Sequence, residues 1–96
     1  MPRACRRAYI MAKWFLYIIE CEDKSLYTGI TNNLERRFEQ HSMGIGSKYT
    51  ALHKPIKILF FEEHNTRGEA LKREWQIKGW SHGKKLKLIM NKNKPG

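Results

Sequence analysis

The first part of the chain with a clear hydrophobic pattern is WFLYIIE, residues 14–20, which is almost entirely apolar and rich in β-formers. Such a run predicts a strand that is buried on both faces. The polar segment EDKS interrupts the run and LYTGIT, residues 26–31, resumes it, so we predict a β-hairpin. A connection of three or five residues would place Tyr17 and Tyr27 on one face of the sheet, whereas a connection of four would separate them. The sequence leaves both cases open.

A helical period replaces the strand pattern in NNLERRFEQHSMG, residues 32–44. Asn32, followed three positions later by Glu35, resembles a capping box, and Gly44 is a residue type that ends helices. One stripe of this helix is expected to face inward. Its members are Leu34, Arg37, Phe38 and His41. Two of the four are polar, which an inward face seldom tolerates without a partner or a function.

The second half of the chain predicts a loop, one more strand and two more helices. GIGSKYTALHKP, residues 44–55, is expected to be a loop with some turn-like structure, in which GIGSK, residues 44–48, forms a mobile segment with a lysine tip. IKILFFEEH, residues 56–64, is expected to be a strand that starts after Pro55. Thr66 and Glu69 form a capping box for the next helix. The inner stripe of that helix is expected to hold Ala70, Leu71, Glu74, Trp75 and Ile77. Ser81 then caps a last helix, which carries Leu86, Leu88 and Ile89.

The order β-β-α-β-α-α predicts a mixed α/β (α+β) fold, in which helices flank a small three-stranded antiparallel sheet. The 96 residues suit one domain. We assign residues 11–91 to this domain, residues 1–10 to a loose N-terminal extension and residues 92–96 to a polar tail.

The charge of the chain narrows its choice of partner. Nineteen Lys and Arg against nine Asp and Glu give a formal net charge of +10, which implies a polyanionic partner. Nucleic acid is the leading candidate, and an anionic membrane surface is the rival. No apolar run approaches the ~20 residues of a spanning helix, and no basic amphipathic anchor is evident, so we expect no membrane partner. The sequence does not indicate an oligomeric state.

The positions of the cysteines and histidines along the chain favour neither a disulfide bond nor a zinc site. Cys5 and Cys21 lie in no metal-binding array and are expected to be free thiols in a reducing cytoplasm. His53, His64 and His82 share no ligand spacing with each other or with the cysteines, which makes a zinc site improbable.

Three charged or titratable residues interrupt the inward stripes, namely Arg37, His41 and Glu74. A structural explanation is an Arg37–Glu74 salt bridge between two helices, while Tyr17 and Tyr27 taken singly are ordinary packing residues. Taken together, these five side chains suffice for phosphodiester cleavage. That reaction needs a base for the attacking water, a cation on the scissile phosphate and a carboxylate for a divalent ion.

Residues 15–80 resemble the GIY-YIG nuclease superfamily. Phe15-Leu16-Tyr17 stands at its first motif and Tyr27-Thr28-Gly29 at its second. The ten-residue steps from Tyr17 to Tyr27 and from Tyr27 to Arg37 agree with its pattern, as do His41 and the Glu74 of KREWQIK. The chain departs from the motifs at Phe15, Leu16 and Thr28, which are mainly architectural positions.

The resemblance implies a role for each matched residue. Tyr17, the position the family favours, or Tyr27 would be the general base, and its pKa would need a nearby cation or metal to lower it. Arg37 would stabilise the charge on phosphorus, His41 would assist by hydrogen bonding, and Glu74 would hold one Mg²⁺ or Mn²⁺. Gly29 would let the substrate backbone approach. The substrate implied is DNA rather than RNA, with a partner protein for target choice left open.

Basic residues outside the motifs are expected to grip the phosphate backbone without regard to sequence. They are Arg36, Lys48, Lys72, Lys84 and Lys85. A second hypothesis uses the same fold and charge differently, as a nucleic-acid-binding module without turnover. A protein of the membrane surface comes third.

Overall fold

The computed structural model describes residues 13–93, so the predicted N-terminal extension, Cys5 and the last residues of the predicted tail lie outside the description. Seven elements follow one another along these residues. They are β1 (Trp14–Cys21), β2 (Leu26–Thr31), α1 (Leu34–Ser42), α2 (Lys48–Leu52), β3 (Pro55–His64), α3 (Arg67–Lys78) and α4 (His82–Asn93). The predicted order β-β-α-β-α-α is confirmed, with α2 as an addition. No helix among residues 13–93 has the length and apolar content to cross a bilayer.

The three strands form one antiparallel sheet in the order β2-β1-β3. In the hairpin, Tyr17 pairs with Gly29 and Ile19 pairs with Tyr27. The backbone N–H of Cys21 donates to the carbonyl of Ser25 at 2.9 Å, so residues 22–24 form the connection. An odd-numbered connection is therefore present, and it places the two phenols on one face of the sheet, because side chains alternate along a strand.

The central strand β1 is buried on both faces, as its apolar run predicts, and each face has its own core. Leu16 and Ile18 pack with Phe60, Ile77 and Ile89 on one side. The opposite face of β1 holds Tyr17, Ile19 and Cys21, with partly buried residues of β2, α1, α2 and β3 packed against them. These are Tyr27, Leu34, Phe38, Tyr49 and Ile58. The second face thus carries both predicted site tyrosines.

The helix ends confirm most of the predicted caps and correct one. Thr66 Oγ1 accepts from the Glu69 N–H at 3.1 Å, Ser81 Oγ accepts from the Lys84 N–H at 3.2 Å, and Gly44 follows α1 with φ +79°. The predicted cap Asn32 is wrong. Asn33 caps α1 by accepting from the Arg36 N–H at 3.0 Å. Both adjacent asparagines are good N-cap residues, so the sequence alone does not tell which of them caps the helix; the backbone conformation decides this.

Two further expectations fail for physical reasons. The predicted loop 44–55 contains α2, whose N-cap is Ser47. Trp75, predicted on the inner stripe of α3, is 79% exposed. Residues two apart on a helix point about 200° apart, so Trp75 cannot share a face with Ile77, which is fully buried.

Candidate active site

The best-defined feature of the second core is a buried contact between a strand tyrosine and a helix histidine. Tyr17 of β1 and His41 of α1 are both almost completely buried, and Tyr17 Oη lies 2.8 Å from His41 Nε2. Burial lowers the pKa of His41 from 6.5 to about 4, and the Arg37 charge acts in the same direction. The imidazole is therefore neutral near pH 7.

The second ring nitrogen of His41 is also occupied. His41 Nδ1 lies 2.6 Å from Thr50 Oγ1 of α2, which lies 3.0 Å from Ser47 Oγ. A neutral imidazole offers one donor and one acceptor, so the two contacts must run in one direction. When Tyr17 donates to Nε2, the Nδ1–H donates to Thr50, and the Thr50 hydroxyl can donate to the Ser47 carbonyl at 3.4 Å. Four side chains thus form a continuous hydrogen-bonded line.

Two glycines leave the space that the rings of Tyr17 and His41 occupy in this hydrogen-bonded line. A Cβ at Gly29, the cross-strand partner of Tyr17, would lie 2.5 Å from Tyr17 Oη and 3.2 Å from Tyr27 Cε2. A Cβ at Gly46 would overlap the ring of His41. Any other side chain at these positions would displace the phenol or the imidazole.

Arg37 lies beside the phenol of Tyr17. Its Nη1–H donates to Gln40 Oε1 and its Nη2–H donates to the Gly46 carbonyl, both at 2.9 Å. Burial raises the pKa of Tyr17 to about 12, while hydrogen bonding to Arg37 opposes this rise and the neighbouring Tyr27 adds to it. The expectation of a lowered tyrosine pKa therefore fails for Tyr17 in the protein alone, since burial outweighs the guanidinium.

Glu74 projects from α3 to the same place. Its side chain is 13% exposed, its Oε2 lies 3.2 Å from Lys78 Nζ, and its negative charge is among the influences that raise the pKa of Tyr17. Among residues 13–93 it forms no ion pair with Arg37, so the Arg37–Glu74 salt bridge considered from the sequence is not formed. The five predicted residues converge, with Tyr17 as their common neighbour.

The donors near Tyr17 suit a hard divalent cation better than zinc. In the part of the chain described, no three His, Cys, Asp or Glu side chains are grouped as a ligand cage. One carboxylate with an exchangeable lysine partner is the kind of site that Mg²⁺ uses, because Mg²⁺ keeps several waters and completes its shell with substrate phosphate. Glu74 therefore fits as the holder of such an ion.

Tyr27 is the outer phenol of the pair and lies within an aromatic stack. Its ring centroid is 6.3 Å from that of Tyr17, 5.0 Å from His41 and 5.7 Å from Tyr49, on which it stacks. Tyr49 in turn stacks on His53 at 4.3 Å. Lys78 Nζ lies 5.9 Å from the Tyr27 ring centroid. Tyr27 is thus held between α2 and the cationic end of α3.

The basic residues expected to bind phosphate have different surroundings. Arg36, Lys48, Lys72 and Lys84 are exposed, the guanidinium of Arg36 donates to Asn32 Oδ1 at 2.9 Å, and Lys84 Nζ lies 4.5 Å from the Trp80 ring centroid. Lys85 is half-buried, and its pKa is lowered by burial and by the charge of Lys78. Lys78 therefore places positive charge beside Glu74, and Lys85 lies close enough to Lys78 for the two charges to interact.

Sequence reasoning missed five residues of this neighbourhood. They are Gly46, Ser47, Tyr49, Thr50 and Lys78. A signal existed for Lys78, which follows Glu74 by four residues and so lies one helical turn away. Ser47 and Thr50 have the spacing of an N-cap. Nothing in the sequence indicates that Thr50 meets His41, because a non-helical connection separates their helices.

Comparison with known proteins gives consistent matches. The family described as the GIY-YIG catalytic domain matches residues 13–87. A UPF0213 protein of Staphylococcus saprophyticus is 47% identical over 79 residues, which cover 82% of this chain and 96% of that protein. A UPF0213 protein of Staphylococcus haemolyticus is 44% identical with the same coverage. The solution NMR structure of a UPF0213 protein from Bacillus halodurans is similar with a TM-score of 0.56 and 35% identity, covering 86% of this chain and 88% of that one.

Proposed function

The chain belongs to the GIY-YIG family, a nuclease superfamily, and from this premise we propose that it is a metal-dependent endonuclease that hydrolyses phosphodiester bonds in DNA. The observation that carries the proposal is the convergence of His41, Arg37 and Glu74 on the phenol of Tyr17. We place the activity in the cytoplasm, where the buried thiol of Cys21 would remain reduced.

Tyr17 is the proposed general base, and the neutral imidazole of His41 is the acceptor within hydrogen-bonding distance of its phenol. A pKa of about 12 leaves little phenolate near pH 7. The phenol would therefore pass its own proton to His41 Nε2 as it takes one from the attacking water. The water oxygen bonds to phosphorus, the bond to the leaving oxygen breaks, and that oxygen takes a proton from solvent.

Arg37 is the proposed electrophilic group. Its guanidinium is held by Gln40 and by the Gly46 carbonyl, so it is positioned before substrate arrives. A guanidinium has five N–H donors in a planar fork, and Gln40, the Gly46 carbonyl and the phenol of Tyr17 do not use all of them. The remaining donors would bind phosphate oxygens and stabilise the negative charge that grows on them during attack.

Glu74 is the proposed metal ligand. A bound Mg²⁺ or Mn²⁺ would supply positive charge that neutralises phosphate oxygens in the transition state. Glu74 would exchange its contact with Lys78 for this ion, and the ammonium of Lys78, 51% exposed, would be free to turn toward a phosphate.

Cleavage of labelled DNA tests the proposal. We expect flapped, branched or single-stranded DNA to be cut with Mg²⁺ or Mn²⁺ and left intact with EDTA. Glu74→Gln should lower the rate by about 100-fold or more, the usual effect of losing a catalytic electrostatic group. Glu63→Gln, an exposed carboxylate on β3, is the matched control and should be unchanged. Equal rates for the two variants would contradict the proposal.

A binding module without turnover is the second candidate. Two observations favour it, namely the raised pKa of Tyr17 and the Lys78 ammonium that already neutralises Glu74. On this view Glu74→Gln should leave DNA binding unchanged or strengthen it, because a negative charge near phosphate is removed. Metal-dependent turnover that Glu74→Gln abolishes would rule this candidate out.

A further inference from the structure

Trp75 is the largest side chain that the fold leaves in solvent. It is 79% exposed on α3, whereas Trp80 is partly buried against the first core and lies beneath the cations of Arg73 and Lys84. Trp14 likewise has the guanidinium of Arg67 over its ring. Within residues 13–93, the Trp75 ring has neither an aromatic nor a cationic partner. A tryptophan without such cover is uncommon, since its ring gains most from burial.

Helix geometry places this ring beside the site. Successive residues turn by about 100°, so Lys78 and Lys72 each lie about 60° from Trp75 on opposite sides, and Glu74 lies about 100° away beyond Lys78. Lys78 contacts Glu74 at 3.2 Å and lies 5.9 Å from the Tyr27 ring centroid. The order around α3 is therefore catalytic carboxylate, lysine, exposed indole, lysine.

We propose that Trp75 is a stacking platform for an unpaired base of the nucleic-acid substrate, and that Lys72 and Lys78 hold the phosphates on either side of that base. This inference rests on the proposed function, because it takes the substrate of the site to be nucleic acid. An indole flanked by two ammonium groups matches the repeating chemistry of a single strand, in which each base is bordered by phosphates. Bases within a duplex are already stacked and cannot offer their faces to the ring. The substrate class is thus DNA with an unpaired nucleotide near the scissile bond.

The charge around Trp75 argues against a second copy of this chain as its occupant. In a two-fold dimer the same patch would face itself, so the lysines on either side of Trp75 in one copy would lie close to those of the other copy. The formal charge of +10 on each chain adds to that repulsion. A polyanion is attracted by the features that repel a second copy.

Binding measured by fluorescence anisotropy in EDTA tests the proposal with the full chain and without cleavage. The probes are a labelled thymidine oligonucleotide of about 20 residues and a blunt duplex of equal length. We expect Trp75→Ala to weaken binding of the single strand about tenfold, because base–aromatic stacking has that order of effect. Binding of the duplex should stay within about twofold, since its charge-driven contacts remain. Trp75→Phe should keep most of the single-strand affinity.

Met90→Ala is the matched control, because Met90 is 69% exposed on a different helix, and it should bind both probes as the wild type does. Wild-type affinity of Trp75→Ala for the single strand would overturn the proposal, as would equal losses for both probes. If Trp75→Ala changed a dimer into a monomer and left single-strand binding unchanged, the ring would serve self-association, and this result would also overturn the proposal. The wild type's failure to cleave DNA with Mg²⁺ would contradict the proposed function and leave this binding difference intact.

Discussion

At the scale of single residues, the hydroxyl of Thr50 determines which ring nitrogen of His41 carries the hydrogen. A buried neutral imidazole takes the tautomer that its hydrogen-bond partners favour. Thr50 Oγ1 lies 2.6 Å from His41 Nδ1 and can itself donate to the Ser47 carbonyl, so it is able to accept the Nδ1–H. That arrangement leaves Nε2 as the acceptor that Tyr17 requires. Thr50 is a positioning residue, because it acts on the reaction only through His41.

Thr50→Val should separate this role from packing, since valine keeps the shape and removes the hydroxyl. We expect kcat for DNA cleavage to fall by about 10- to 100-fold with KM little changed, as is typical when a supporting hydrogen bond is lost. Thr50→Ser should restore most of the rate. Nitrogen NMR of His41 should show the hydrogen moving off Nδ1 in the valine variant only. An unchanged rate and tautomer would refute the role of Thr50.

The pKa of His41 also makes stability depend on pH. The folded state holds this pKa at about 4, whereas an unshifted histidine titrates at 6.5, so the unfolded chain binds more protons between these values. Stability therefore rises with pH across this window, and the free energy of unfolding should fall by about 2 kcal/mol from about pH 7.5 to about pH 5. Asp23, with its pKa lowered to about 2, acts only at lower pH.

Urea unfolding at several pH values measures this slope. His41→Gln should unfold with a flatter dependence between about pH 5 and pH 7, because the titrating group is gone. The same slope in both proteins would mean that His41 is not the group responsible.

At the scale of elements, the hydrophobic pattern predicts whether a segment is a strand or a helix more reliably than it predicts which of its residues face inward. The unbroken apolar run of β1 predicts a central strand, because only a central strand buries both faces. The pattern fails for Trp75 because an apolar residue need not face inward, and the angle between Trp75 and Ile77 on the helix excludes a shared face. The short helix α2 gave no sufficient signal, since five residues make barely one helical turn.

The packing of Tyr17 in the β1–β2 hairpin depends on Gly29, its cross-strand partner. Gly29→Ala would place a methyl group 2.5 Å from Tyr17 Oη, so the phenol or the strand must shift. We expect the free energy of unfolding to fall by about 1–3 kcal/mol, the range for overpacking a core. Gly83→Ala is the control, because a Cβ there meets nothing within 4 Å and lies in helix α4.

Gly83→Ala should leave stability unchanged or raise it by up to about 1 kcal/mol, the difference in helix propensity. Denaturant unfolding of the two variants compares them directly. Equal effects at the two glycines would show that Tyr17 is not packed on Gly29 as described.

At the scale of the whole molecule, the fold brings side chains of two separate helices to one phenol on the central strand. Tyr17 comes from the central strand, Arg37 and His41 from α1, and Glu74 from α3. Their spacing along the sequence and the resemblance to a known family predicted the members. The supporting residues were not predictable in the same way, because Gly46 and Thr50 meet His41 only after the chain has turned back on itself.

The central claim is that Tyr17 and His41 act as one unit in phosphodiester hydrolysis. Single-turnover cleavage of a flapped DNA with Mn²⁺ by Tyr17→Phe, His41→Gln and the double variant tests it most directly. Each single change should slow cleavage by about 100-fold or more, and the double variant should be no slower than the slower single one, because groups that act together are not additive. Wild-type rates in Tyr17→Phe and His41→Gln, or full additivity in the double variant, would contradict the account.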